Sequence, residues 1–198
     1  MNLFENFFLH FSDLPKKSYK SFLNLAKKEN FKKNDFITKV GQKPKSFFII
    51  KSGIVRSFYE DKNAKEYTRT IFTSPKSTGS LSSLITGKPS ELHYQCLTDS
   101  VLYRINFNDF KKLTTEDSYI LKLYSEVLEF IFLMMENRIY ELSVLNASER
   151  YLKLKKEIPD IESYIAQYHI ASYLNISPVQ LSRIRKEMLK NQSINICK

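Results

Sequence analysis

The most regular hydrophobic pattern in the chain lies between residues 116 and 145, a stretch that contains no glycine or proline. Apolar residues recur there at steps of 3, 4, 3, 4, 4 and 3, a near-heptad repeat that predicts one long helix. The repeat consists of Leu121, Tyr124, Leu128, Ile131, Met135, Ile139 and Leu142. Phe130 and Phe132 widen the apolar surface, so this helix is expected to bury more than one face. We expect one face to pack on its own domain and another on a second copy of the chain; the alternative is a core helix of a monomer.

Before this helix, hydrophobic and polar residues alternate over short runs that are typical of β-strands. All four glycines fall between residues 41 and 87, so this region is also rich in turns. The run SFFII-KSG-IVRSFY predicts a β-hairpin with its turn at Lys51–Ser52–Gly53. Three further strands are predicted at EYTRTIF (66–72), HYQCL (93–97) and VLYRI (101–105), the last two joined by a turn at Thr98–Asp99–Ser100. Short strands at this spacing indicate a β-sandwich or barrel, preceded by predicted helices at residues 3–10 and 16–29.

A second helical region begins at Asn146. The segment Asn146-Ala-Ser-Glu149 has the form of a capping box, in which an N-cap acceptor is followed three residues later by glutamate. The helix that it starts is expected to end at Pro159. The sequence therefore predicts three parts, residues 1–115, 116–145 and 146–198, with a hinge at Asn146.

Residues 169–190, HIASYLNISPVQLSRIRKEMLK, predict two short helices joined by a tight turn. Asn175 can adopt the left-handed conformation that ends the first helix. Ser177 suits the N-cap of the second helix, Pro178 its first position, and Gln180 can complete a capping box. This is the outline of a helix-turn-helix.

The second helix of this pair has two distinct faces at 100° per residue. Leu181, Ile184 and Met188 share the face expected to lie in the core, as do Ile170, Ala171 and Leu174 of the first helix. Val179, Arg183, Lys186 and Lys190 lie on the opposite face at spacings of 4, 3 and 4, with Ser182 beside them. The alternative to a nucleic-acid interface is an ordinary solvated basic face.

Each residue on the outward face suits a contact with DNA. Arg183 can form two hydrogen bonds with the O6 and N7 atoms of guanine, and Val179 can touch a thymine methyl group. Gln180 could hydrogen-bond adenine or serve only as a capping partner. Arg185, Lys186 and Lys190 are placed for backbone phosphates, which supply affinity rather than specificity. The predicted DNA-binding residues are Ser177, Pro178, Val179, Gln180, Ser182, Arg183, Arg185, Lys186 and Lys190.

The charge of the chain supports a polyanionic partner. The formal net charge is +10, and residues 150–198 hold 9 Lys and Arg against 4 Asp and Glu, which is half of the excess. No membrane span or secretory signal is recognisable, and the two cysteines cannot form a disulfide framework, so we expect a cytoplasmic protein.

Several function classes are disfavoured by the residues present. The three histidines are scattered without metal-ligand spacing, so we expect no metal site. A jelly-roll metalloenzyme would need a cluster of ligands where only His93 occurs, and no nucleotide-binding glycine motif or nucleophile elbow is present. We therefore expect no catalytic activity. A signalling or scaffold module that binds an acidic protein or membrane through its basic helix remains the alternative to a DNA-binding protein.

The order of these parts resembles the Crp/Fnr family of transcriptional regulators. The segment SERYLKLKKEIPDIESYIAQYHIASYLNISPVQLSRIRKE is similar to the C-terminal region of a subgroup common in Bacteroidetes, and GSLSSLITGKPSELHYQCLTDSVLYRI resembles the effector-domain segment. The resemblance implies an α+β protein with an N-terminal antiparallel β-roll (jelly roll) and flanking helices, a long dimerisation helix and a C-terminal winged helix-turn-helix. It further implies a homodimer that binds a pseudo-palindromic double-stranded operator and cooperates with RNA polymerase.

The chain departs from the cyclic-nucleotide-binding members at the phosphate cassette. Their Gly-Glu-Leu element falls here at Gly79-Ser80-Leu81, and their Arg-Ser pair falls at Ser90-Glu91, after Pro89. The carboxylate for the ribose and the arginine for the cyclic phosphate are both missing, and Glu91 would repel the phosphate. We expect weak or no binding of cyclic AMP, no other cofactor, and an unidentified effector. The tentative effector pocket comprises Gly79, Ser80, Leu81, Ser82, Ser83, Pro89, Ser90 and Glu91.

Two further departures affect the expected fold and sensing chemistry. No N-terminal cysteine cluster for an iron–sulfur centre is present, and His10, His93 and Cys96 do not indicate a haem ligand. The family's wing is represented only by NQSINICK, so we expect a wing that is short or reduced to one strand.

Overall fold

The computed structural model describes residues 3–8, 11 and 14–196, and its β-strands form two four-stranded antiparallel sheets. The first sheet has the strand order β1-β8-β3-β6 and the second the order β2-β7-β4-β5. The strands are β1 Lys27–Phe31, β2 Phe36–Thr38, β3 Ser46–Ser52, β4 Ile54–Glu60, β5 Glu66–Thr73, β6 Ser77–Thr78, β7 His93–Cys96 and β8 Ser100–Asn106. The predicted antiparallel β-roll is confirmed.

The inner faces of the two sheets enclose an apolar core. Phe48, Ile50 and Leu102 from the first sheet pack against Val55 and Cys96 from the second. Along β3, these inward residues alternate with others that face a layer of helices, because successive side chains of a strand point to opposite faces.

The connections between the strands differ from the prediction. β3 and β4 belong to different sheets, so Lys51–Ser52–Gly53 is not a hairpin turn but a corner where the chain crosses between sheets. Gly53 has a φ of +94°, and a β-carbon there would lie 2.1 Å from Ser100 Oγ. The crossing from β7 to β8 at Thr98–Asp99–Ser100 is the matching corner. The true hairpin joins β4 to β5.

Helices flank the roll and follow it. They are α1 Leu3–Phe8, α2 Lys16–Leu25, α3 Leu81–Thr86, α4 Phe107–Glu116, α5 Ser118–Val144, α6 Ala147–Glu157, α7 Ile161–Tyr164, α8 Gln167–Tyr173 and α9 Pro178–Ile196. The prediction of helix at residues 27–29 is wrong, because β1 begins at Lys27 and pairs with β8 along its whole length. Part of the predicted helix at residues 3–10 lies outside the described residues. Within the described residues, no helix is long and apolar enough to cross a membrane.

The helices on the first sheet share an aromatic core with its outer face. Phe22 of α2 makes edge-to-face contacts with Phe8 and Phe110, at centroid distances of 5.1 and 6.0 Å. Ile120 and Leu123 of α5 are buried in the same cluster. One face of the long helix therefore packs on its own domain, as expected.

The C-terminal helices α6 to α9 share a hydrophobic cluster with the roll, and α8 lies against β5 of the second sheet. Asn146 caps α6 through the predicted capping box, in which its side chain accepts from Glu149 N and Glu149 accepts from Asn146 N. Helix α6 ends at Glu157, two residues before Pro159. Ile170, Ala171 and Leu174 are fully buried, and they share one hydrophobic cluster with residues of the roll, namely Ile54, Ile71 and Leu97.

The predicted wing, short or reduced to one strand, is not formed by residues 191–196, which are helical in the described part of the chain. Helix α9 continues through residues 191–196 as far as Ile196, and residues 197–198 lie outside the described part. The physical reason is the absence of a terminator, because no glycine or proline follows Pro178 in the chain.

The corner at Gly53 yields a stability prediction. Gly53→Ala should lower the free energy of unfolding by more than about 2 kcal/mol, because it adds a steric clash with Ser100 to left-handed backbone strain. Gly41→Ala is the matched control, since Gly41 has a φ of +83° with nothing within 4 Å of its β-carbon position. Urea unfolding of both variants isolates the clash, and equal losses would contradict the close approach at this corner.

Candidate DNA interface and effector region

The two helices α8 and α9 are joined by residues 174–177, and local hydrogen bonds fix the turn. Asn175 has a φ of +54°, the left-handed conformation expected of it. Ile176 N donates to Ala171 O at 3.0 Å, and Ser177 Oγ accepts from Gln180 N at 3.1 Å. Ser177 therefore caps α9 as predicted. The Gln180 side chain is exposed, as is Pro178 at the first position of the helix.

Helix α9 has one buried and one exposed face. Leu181 and Ile184 are buried, with Met188 packed beside them. Five residues on the opposite side are exposed and form what we call the α9 stripe: Val179, Ser182, Arg183, Lys186 and Lys190. Within the described residues, none of the three cations in the stripe forms an ion pair with a carboxylate. The stripe thus presents three cations to solvent, while Glu187 is exposed beside them on the same helix.

Arg185 does not belong to this stripe. Its Nε lies 2.6 Å from Glu162 Oε1, and the same carboxylate accepts from the Tyr151 hydroxyl at 2.7 Å. The contact joins α9 to α7 and α6. The sequence analysis predicts that Arg185 contacts DNA phosphates. In the structure its guanidinium instead pairs with Glu162, because residue 185 lies at the edge of the buried face of α9.

Helix α8 is hydrogen-bonded to the edge of the second sheet. Ser172 Oγ accepts from Thr68 N at 2.9 Å and donates to Glu66 O at 3.0 Å, so one hydroxyl continues the hydrogen bonding of β5. One turn earlier, His169 is buried close to Arg56 and Glu66. Burial, together with the charge of Arg56, lowers the pKa of His169 to about 4. Sequence reasoning did not find Ser172 or His169, because nothing local marks a residue that bonds to a distant strand.

The tentative effector residues divide into two groups. Ser80, Ser83 and Ser90 are buried and adjacent: Ser80 Oγ is 2.8 Å from Ser83 Oγ and 3.1 Å from Ser90 Oγ. The Ser90 hydroxyl also donates to Leu92 O at 2.8 Å. The remaining predicted residues lie apart from this serine cluster: Ser82, Pro89 and Glu91 are exposed, Leu81 packs towards the flanking helices, and Gly79 approaches Phe47 of β3.

Tyr94 was not predicted and lies beside the serine cluster. Burial raises the pKa of its hydroxyl, and the nearby Ser80 partly offsets that effect. Ser57 is the partner of Tyr94 in the neighbouring strand, and its hydroxyl is buried without a hydrogen-bond partner among the described residues. The alternation of HYQCL could have placed Tyr94 inside the roll, since it puts Tyr94 and Cys96 on one face.

The long helix α5 exposes an apolar face of its own. Leu121, Phe132, Met135, Ile139 and Leu142 are all exposed, and with half-buried Leu128 they recur at steps of 7, 4, 3, 4 and 3. We call these six residues the α5 seam. Ile131 is half-buried, and Tyr124 packs inward on Phe110 with ring centroids 5.4 Å apart. The exposed repeat therefore differs from the predicted one: Tyr124 and Ile131 drop out and Phe132 enters. Tyr124 is lost from it because its ring packs against α4.

The sequence of the roll matches a known domain family. Residues 28–117 match the cyclic nucleotide-binding domain. This range runs from β1 to the end of α4. No curated protein matches the chain in sequence.

Several solved structures have the same fold as this chain. The c-di-GMP responsive global regulator CLP of Xanthomonas campestris is 14% identical, with a TM-score of 0.70 over 90% of this chain and 93% of its own. FixK2 of Bradyrhizobium japonicum is 15% identical, with a TM-score of 0.72 over 84% of this chain and 86% of its own. A protein of Eubacterium rectale described as a putative transcriptional regulator of the Crp/Fnr family is 17% identical, with a TM-score of 0.69 over 90% of this chain and 85% of its own. At these identities the similarity establishes the shared fold.

The burial of His169 predicts an acid-sensitive contact between α8 and the roll. The pKa of His169 is lowered to about 4 in the folded state, whereas in the unfolded chain it is about 6.5. Between these two pH values the unfolded chain binds a proton at His169 and the folded chain does not. Stability from this site is therefore present at neutral pH and is lost as the pH falls from about 6.5 towards 4. Thermal unfolding across this window should show a flatter pH dependence in His169→Asn than in the unmodified protein. Parallel profiles would exclude the site as the cause.

Proposed function

We propose that the protein is a homodimeric, sequence-specific DNA-binding transcriptional regulator of the Crp/Fnr type. The observation that carries this proposal is the α9 stripe, a row of unpaired cations on a capped helix whose opposite face is buried. A helix presented in this way can enter a major groove, which is wide enough to admit it.

The residues of the stripe have different roles in this proposal. Arg183 lies in its middle and reads a guanine, while Val179 near the helix start contacts a thymine methyl group. Ser177 and Ser182, with the amides of the first turn, bind phosphate at the positive end of the helix. Lys186 and Lys190 contact phosphates farther along. Gln180 is free to read a base, since its side chain is exposed.

The α5 seam is the proposed dimer interface. Six apolar side chains at heptad-like spacing line a single face of α5, and five of them are exposed in the isolated chain. Pairing of two such helices buries these side chains against their symmetry mates, at about 1.5–3 kcal/mol for each large residue fully buried. A two-fold dimer would present two α9 helices to half-sites one helical turn apart.

The interior of the roll is the proposed effector site. The serine cluster, Tyr94 and the unpaired hydroxyl of Ser57 supply hydrogen-bonding groups there. These groups suit a polar ligand, and cyclic AMP is not favoured, because residues 88–91 are Lys-Pro-Ser-Glu and supply no arginine for its phosphate. The protein is a regulator rather than an enzyme in this proposal, acting in the cytoplasm with RNA polymerase as a further partner.

The proposal is supported by the kinds of protein that share this fold. CLP is described as a global regulator that links cell-cell signalling to virulence gene expression, and the Eubacterium rectale protein as a transcriptional regulator. These activities belong to those proteins, and the α9 stripe is what extends the inference to this chain.

In vitro selection of random DNA duplexes by the purified protein tests the proposal. A palindromic consensus is expected, and log K for that duplex should fall linearly with log salt. Binding that depends on salt but shows no sequence enrichment, with and without a small-molecule extract of cells, would favour a scaffold module that uses its basic helix for another polyanion.

Arg183→Ala tests the assignment of a base contact. Discrimination at one position in each half-site should fall by about 1–3 kcal/mol, because the bidentate contact to guanine is lost. Lys186→Ala is the matched control, since it should weaken all duplexes alike and reduce the salt dependence. Competition binding with duplexes mutated one base pair at a time measures both effects. Unchanged discrimination in Arg183→Ala would refute the contact.

Met135→Glu tests the α5 seam. The variant should be monomeric by light scattering, because a charge buried without a partner in the interface costs several kcal/mol. Glu136→Gln is the control, since residue 136 is exposed and is not one of the six seam residues. A Met135→Glu protein that remains dimeric would place the interface elsewhere.

A further inference from the structure

The ends of α5 and α8 meet at the hinge, where a single side chain bonds both. Arg150 of α6 donates from Nε to Leu174 O at 3.1 Å and from Nη1 to Leu145 O. Leu145 and Leu174 are the C-cap residues of α5 and α8. The last carbonyls of a helix have no partner within it and carry partial negative charge. One guanidinium therefore links the C-terminal ends of the long helix and the first helix of the α8–α9 pair.

A second arginine makes the same link from the other side. Arg138 of α5 donates from Nη2 to Tyr173 O, and its guanidinium carbon lies 4.0 Å from the centroid of the Tyr173 ring. Its Nη1 is 3.0 Å from Glu141 Oε2, one turn along α5. The side chain is 17% exposed, so the contact is shielded from solvent. Arg138 and Arg150 thus bond consecutive carbonyls, those of residues 173 and 174.

Glu141 anchors this arrangement within α5 and α6. It is 6% exposed, and besides Arg138 it contacts Lys153 Nζ at 2.7 Å and Asn137 Nδ2 at 2.9 Å. Burial alone would raise the pKa of Glu141, but its bonds to Lys153 and Arg138 outweigh that effect and keep the pKa below its usual value. A buried carboxylate held by two cations tolerates little rearrangement, because moving either cation leaves the charge unpaired.

We propose that Arg138 and Arg150 form a clamp that fixes the angle between α5 and the α8–α9 pair, and that this angle sets the spacing between operator half-sites. The inference rests on the proposed DNA-binding function, because α5 then carries the dimer axis and α9 carries the base contacts. In a dimer, any rotation of α9 about the hinge is doubled across the axis. Arg138 and Arg150 are positioning residues, since neither lies in the α9 stripe.

The geometry requires arginine at both positions. A guanidinium is planar and donates from separate nitrogens in fixed directions, so it can bond two carbonyls or stack on a ring while pairing with a carboxylate. A lysine ammonium carries the same charge but concentrates its donors on one nitrogen. Arg150→Lys and Arg138→Lys therefore preserve net charge and attraction to DNA while releasing the clamp.

The test uses the full-length dimer and the selected operator, with the spacer between half-sites shortened or lengthened by one and two base pairs. The unmodified protein should favour one spacing sharply. In either lysine variant, the ratio of the affinities for the best and the shifted spacing should fall by about tenfold. That change is similar to the loss of affinity caused by one mismatched base pair in a binding site. Affinity for a duplex with a single half-site should stay unchanged. Lys156→Arg, at an exposed position of α6, is the control and should keep the original ratio.

The outcomes separate this inference from the proposed function. If the unmodified protein selects no duplex, the proposed function fails. If it binds its operator and the lysine variants keep the sharp spacing preference, the clamp is overturned. A lysine variant that loses its single half-site affinity is replaced by Tyr173→Leu, which retains the backbone carbonyl and removes only the ring beneath Arg138. A broadened spacing preference in that variant supports the clamp, and an unchanged one contradicts it.

Discussion

The arrangement of this protein depends on one hydrophobic cluster that the β-roll and the C-terminal helices share. Ile54 and Ile71 of the second sheet and Leu97, which follows β7, share this cluster with residues of α6 to α9, including Ile170 and Leu181. The C-terminal helices and the roll therefore share one hydrophobic core. Each large apolar side chain buried there contributes about 1.5–3 kcal/mol to the free energy of folding. Separating the two parts would expose these side chains and remove a large fraction of the total stability. The location of α9 follows from this shared burial.

Polar contacts then decide the orientation that burial alone leaves open. Apolar surfaces attract without a preferred direction, whereas hydrogen bonds require distance and angle. Ser172 bonds α8 to β5, and the guanidinium groups of Arg138 and Arg150 bond its C-terminal end to α5 and to the hinge. The α8–α9 pair is consequently held from both of its sides. Helix α8 therefore contacts both the edge strand of the second sheet and the long helix.

Much of the local structure could be predicted from the sequence, because local chemistry determines it. The capping box at Asn146, the cap at Ser177 and the two faces of α9 all follow from neighbouring residues. Long-range pairing could not be predicted. The alternating pattern identifies a strand but not its partner, so the corner at Gly53 was interpreted as a hairpin. For the same reason the partner of Arg185, the inward position of Tyr124 and the role of Ser172 became visible only in three dimensions.

The exposure of the α9 stripe has a consequence for how such a protein can evolve. Within the described residues, Arg183, Lys186 and Lys190 form no ion pair, and Val179 is 62% exposed. Substitutions at exposed positions of this kind usually change stability by less than about 0.5 kcal/mol. Mutation can therefore replace these residues one at a time without passing through unfolded intermediates. Under the proposed function, two copies of the gene that arise by duplication diverge in their target promoters through these positions, while selection preserves the folded scaffold.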